Sequence, residues 1–83
     1  MFDRQQSIGE ARAVDISSTD DAMPTNKPTR AIYVGGAGNL VVELAGKPGT
    51  NITYAVAANS RHPLRVSKVI RTGTTATNIV VEF

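Results

Sequence analysis

At 83 residues the chain has room for one domain, small enough to bury only ~60–65% of its unfolded surface, and marginal stability is expected. With no cysteine, no tryptophan and one histidine, the composition excludes a disulfide framework and a Cys-based zinc site, leaving oligomerisation as the route to extra burial. The net charge of +2 is uneven: residues 1–29 carry three bases and five acids, −2, and residues 30–83 six bases and two acids, +4.

Residues 1–28 hold few large apolar side chains and no sustained periodicity, so they read as an extended, interface-forming arm ahead of a β domain over 29–83. The opening Met1-Phe-Asp-Arg-Gln-Gln6 is not followed by the apolar stretch of a signal peptide, and the chain is expected to be kept or assembled in a cytosol. Within the arm, Ala13-Val-Asp-Ile-Ser17 suits a short strand, and Ser17-Ser-Thr-Asp-Asp-Ala-Met23 suits the cap of a single helical turn. No apolar run approaches the ~20 residues of a membrane span, and no membrane partner is expected.

From Arg30 the pattern becomes strand-like. Ala31-Ile-Tyr-Val34 and Leu40-Val-Val-Glu-Leu-Ala45 flank Gly35-Gly-Ala-Gly-Asn39, which predicts a hairpin with glycines in its turn. The loop Gly46–Thr50 leads to Asn51–Val56, where Ile52, Tyr54 and Val56 share one face opposite Thr53 and Ala55. Residues 57–63 connect to two β-branched runs, Leu64–Ile70 and the stretch ending at Phe83, which predict a closing hairpin about a Thr/Gly turn. The spacing predicts an all-β fold, a small antiparallel sandwich or barrel-like domain.

Alternation breaks in Leu64–Ile70, where Lys68 interrupts an apolar face and Val69 points away from it. Either a bulge near Ser67 re-aims one side chain, or both faces are covered, one of them by another copy. Val41, Val69 and Val80, all opposite the inward sets, favour the second account.

No constellation points to an enzyme. Gly35-Gly-Ala-Gly38 opens a strand pattern instead of the helix a phosphate loop needs, and a hairpin turn is the better reading. Ser60 and His62 could form a triad with Asp15, Asp20 or Asp21, but no strained turn or oxyanion hole has a signature here. Asp20-Asp21 lacks a ladder of oxygen ligands for a hard cation, nothing gathers carboxylates around His62, and no cofactor is expected. The basic cluster Arg61, Arg65, Lys68 and Arg71 contains no aromatic side chain of the kind that stacks on bases, so nucleic acid is a minor reading. Arg61, Arg65, Lys68, Val69 and Arg71 in the domain, with Phe2 and Ile8 in the arm, are the interface candidates; Tyr33 and Phe83 read as core.

Pro28-Thr-Arg-Ala-Ile-Tyr-Val-Gly-Gly-Ala-Gly-Asn-Leu40, followed by Pro63-Leu-Arg-Val-Ser-Lys-Val69 and Thr72-Gly-Thr-Thr-Ala-Thr-Asn-Ile-Val80, resembles the spike base proteins of tailed-phage heads and phage-like gene transfer agents. Ala13–Asp21 resembles that family's segment ahead of its first core strand, so the likeness spans residues 13–45 and 63–83. It implies a structural virion protein on the outer surface of the head, assembled in the host cytoplasm. The implied assembly is a homo-oligomeric ring, a pentamer, that sits on the major capsid protein at a vertex and carries a spike fibre protein. A capsid cement protein or a tail-spike base is the first alternative, and a small nucleic-acid-binding β-barrel the second.

Overall fold

A computed structural model describes residues 9–24 and 27–83, so Phe2 and Ile8 lie outside the described residues. Eight strands follow in chain order: β1 (Ala11–Ala13), β2 (Asp21–Ala22), β3 (Ala31–Gly36), β4 (Gly38–Leu44), β5 (Asn51–Val56), β6 (Ser60–His62), β7 (Val66–Val69) and β8 (Thr77–Glu82). They form two four-stranded antiparallel sheets, β1-β8-β3-β6 and β2-β7-β4-β5. The first eleven described positions of the expected arm thus supply the β1 margin of one sheet, and the following residues the β2 margin of the other. Residues 17–19 bend and do not take a helical turn.

Of the seven connections between described strands, six cross from one sheet to the other; β4 and β5 alone are joined within a sheet. Alternation of sheets with β8 between β1 and β3, and β7 between β2 and β4, is the jelly-roll topology. Both expected hairpins are corrected by it. β3 and β4 are consecutive but lie in opposite sheets, turning through a corner at Ala37, and β7 and β8 are likewise parted. Turn residues mark where the chain reverses, and a reversal can land in the same sheet or in the facing one.

The glycines of the 35–38 block therefore serve close approach and not a tight hairpin loop. A Cβ on Gly38 would lie 2.6 Å from the Ala76 amide nitrogen and 2.8 Å from the Thr75 carbonyl carbon. One on Gly35 would stand 2.9 Å from the Cβ of Asn78, a residue held at φ 53° within β8. The 70–76 crossover packs into this space and is bonded along β4: the amides of Thr75 and Ala76 both donate to the Asn39 carbonyl (2.9 and 3.1 Å), and Ile70 donates to Val41 (2.8 Å). In return the Thr74 hydroxyl accepts from the Val41 amide at 3.0 Å and donates to the Ile70 carbonyl at 2.6 Å.

The core between the sheets is built on Ile32, Val34, Leu40, Val42, Val66, Val69 and Val81, each fully buried. Each such side chain contributes about 1.5–3 kcal/mol relative to exposure. The bulge at Ser67 is real: Glu43 pairs with Lys68 while Leu44 pairs with Val66, so β7 carries one residue more than β4. That extra residue turns both Val66 and Val69 inward, and Val69, expected on an outer face, is core. Val41 does face out from β4, but the chain's own crossover covers it: it is buried, and a Cβ on Gly73 would meet its Cγ2 at 3.2 Å. Of the three valines that suggested a second copy, Val80 alone stays partly exposed. Tyr33, opposite Ile32 and Val34 by the two-residue period, is half-buried on the outer face and hydrogen-bonds Asn59, whereas Phe83 packs partly buried against the core.

Candidate functional site

The register sorts the surface into two ends and two lateral margins. At one end lie the β2–β3, β4–β5 and β6–β7 connections with Gly9, Glu10 and Phe83; at the other lie the β1–β2, β3–β4, β5–β6 and β7–β8 connections. The first end is held together by Thr29. Fully buried, it accepts from the Val66 amide at 3.0 Å, donates to the Leu64 carbonyl at 2.6 Å, and its own amide reaches the Val66 carbonyl at 3.2 Å. Lys27 pairs with Glu10 and lies 5.3 Å from the centre of the Phe83 ring.

All four prolines stand at this end. Pro24, Pro28 and Pro48 line a groove of about 500 Å³ with Met23, Glu43 and Arg65, and Pro63 lines an adjoining one of about 440 Å³ with Leu44, Leu64 and Arg65. Glu43 is fixed at the groove wall. Its carboxylate accepts from the Gly49 amide (2.9 Å) and the Ser67 hydroxyl (2.9 Å) and faces Lys68 across the register, which together lower its pKa. The Gly49 bond is the largest of these effects.

The basic quartet is not one patch. Arg61 leaves β6 over the outer face of the first sheet, its Nη2 donating to Glu82 Oε2 at 3.0 Å while Nε lies 2.9 Å from Oε1, an ion-pair distance without hydrogen-bond alignment. Lys68 belongs to the second sheet, opposite Glu43. Arg71 is tied to the 17–20 bend, its amide donating to Asp20 at 2.6 Å and its Nε to the Ser17 carbonyl at 3.4 Å. Arg65 is exposed between the two grooves, with no carboxylate partner among the described residues.

The lateral margins differ in kind. The β1/β2 margin is stitched: Arg12 donates to Asp21 Oδ2 at 2.7 Å, and the same oxygen accepts from the Asp15 amide at 3.0 Å. Asp15 in turn accepts from the Ser17 hydroxyl and amide, which lowers its pKa, the hydroxyl contributing most. At the β5/β6 margin, no side-chain hydrogen bond or ion pair reaches β5 among the described residues. Ser60 and His62 meet there, Oγ to Nε2 at 2.9 Å, but the hydroxyl donates to the Ala57 carbonyl at 2.6 Å. Its proton is engaged with the backbone, so the ring nitrogen serves as donor to Oγ and the pair is a turn lock, not an activated nucleophile.

Sequence reasoning missed Thr29, the Arg12–Asp21 stitch and the role of Glu43. Thr29 and Arg12 meet partners nine to thirty-seven residues away, and Glu43 is held by the Gly49 amide and by Ser67, twenty-four residues on, none of which leaves a local pattern. β6 was also missed, because Ser60-Arg-His62 carries no apolar alternation.

No family model and no curated protein matches the chain. Among solved structures it is similar to a chain described as the capsid of a native GTA (gene transfer agent) particle, computed with C5 symmetry. The likeness has a TM-score of 0.75 at 28% sequence identity and covers 100% of this chain and 92% of that one.

Proposed function

We propose that this chain is a structural component of a phage-like capsid. It forms a homo-oligomeric ring at a five-fold vertex, rests on the major capsid protein and serves as the base of a head spike that carries a fibre. The observation that carries this reading is the end-to-end likeness, at 28% identity, to a chain of a GTA capsid computed with C5 symmetry. The jelly-roll order adds weight by analogy alone, since the same topology builds viral capsid domains and also lectins and cupins.

The surface suits binding more than chemistry. Prolines fix the groove walls at one end, and Arg65 offers an exposed cation between them, so partner contact there orders little that is not already ordered. Arg61, Lys68 and Arg71, each facing an acid or a carbonyl of its own chain, act at interfaces through rearranged pairs. Division of the quartet between two sheets disfavours nucleic acid, which would need one continuous positive track. Imaging of native particles tests the proposal: density for this chain confined to five-fold positions beneath a spike supports it, whereas even distribution over the lattice makes it a cement protein. Absence from particles removes the capsid role altogether.

A further inference from the structure

We infer that β5 is an assembly seam, an open sheet edge completed by the β1/β2 margin of a second copy of this chain. The inference rests on the ring reading above and names the surface that closes the ring.

Among the described residues four strands lie at sheet edges, and three of them are only two or three residues long. β5 has six, and its outer side presents backbone groups to no strand among the described residues. Soluble proteins guard such edges with charges, proline, bulges or covering loops. Here, from Gly49 to Ser60, there is no charged residue and no proline, and the β4–β5 pairing runs through six pairs without a bulge. The side chains point the same way. Ile52 and Tyr54 face the core side yet remain half-exposed, and no strand flanks them beyond β5 among the described residues.

The occupant follows from symmetry and charge. A five-fold ring needs a heterologous contact, one surface of each copy against a different surface of the next, which rules out β5 pairing with itself about a two-fold axis. The surface opposite β5 on the sandwich is the β1/β2 margin. That margin holds three carboxylates, Asp15, Asp20 and Asp21, with Arg12 and the Arg71 docked on its bend, while the β5/β6 margin has no carboxylate of its own and carries Arg61, paired with Glu82. Side-by-side copies thus set an acid-rich margin beside one with no carboxylate of its own and continue both sheets around the ring.

Hydrogen exchange on the full chain, assembled and diluted, tests this together with Thr53→Lys/Ala55→Lys, two exposed positions on β5. The expected result is slowing of exchange in 51–56 by about tenfold or more on assembly, and assembly at least about tenfold weaker in the double variant, whose diluted form melts as the wild type does. If rings form while 51–56 exchanges as in the monomer, or the double variant assembles normally, the seam lies elsewhere and the inference fails with the capsid role intact. Slowing that appears on addition of heads but not on self-assembly makes the occupant a capsid protein and also overturns it. A chain that stays monomeric and is absent from particles overturns both readings.

Discussion

Thr29→Val keeps the shape of a fully buried side chain and removes its hydroxyl, which joins two loops at the proline-lined end. The Val66 amide then has no acceptor in a dry site, at a cost of about 1–3 kcal/mol, while the Leu64 carbonyl, on a half-exposed residue, loses about 0.5–1 kcal/mol. Set against the small gain from a more apolar side chain, the net loss is about 2 kcal/mol, or about 8–16 °C in Tm for a domain of this size. Thr29→Ser keeps both bonds and loses one methyl, about 1 kcal/mol. Thermal unfolding by circular dichroism, at one dilute concentration so that assembly does not contribute, should rank wild type above Ser and Ser above Val. An inverted order, with Val at or above wild type and Ser lowest, would mean that the site is held by apolar burial and would refute the reasoning.

Gly38→Ala places a methyl against the backbone of residues 75–76, which cannot rotate away, and should cost about 1–3 kcal/mol in urea unfolding. Gly46→Ala, with open space around it, should cost less than about 1 kcal/mol, and equal effects of the two would contradict the corner packing. Glu43 and Asp15 both have pKa values lowered in the folded state, from ordinary values of 4.5 and 3.8. Their stabilisation is therefore complete above those values and is lost as pH falls through the lower folded ones. The urea midpoint should hold between pH 7 and pH 5 and decline below about 4.5, and Glu43→Gln should show a shallower decline.

Much of the fold is legible in the chain. The two-residue period gives β5 from Asn51 to Val56, places Ile52, Tyr54 and Val56 on one face, and brackets β3 and β4. It cannot say in which sheet a strand lies, because alternation records inward and outward only, and both hairpin expectations failed there. The anomaly around Lys68 was a true signal of irregular pairing. Of its two explanations the bulge accounts for Val69 without a second copy, and the crossover loop accounts for Val41. Long-range partners leave no such trace: Thr29 meets Leu64 and Val66 from more than thirty residues away, and nothing near residue 29 announces it.

Imaging of native particles at a resolution that distinguishes subunits tests the central claim most directly. The account predicts copies of this chain as a closed ring at the five-fold vertices, on the outer surface of the head and beneath a spike. Particles whose vertices lack the chain, or that carry it evenly across the lattice, would contradict it.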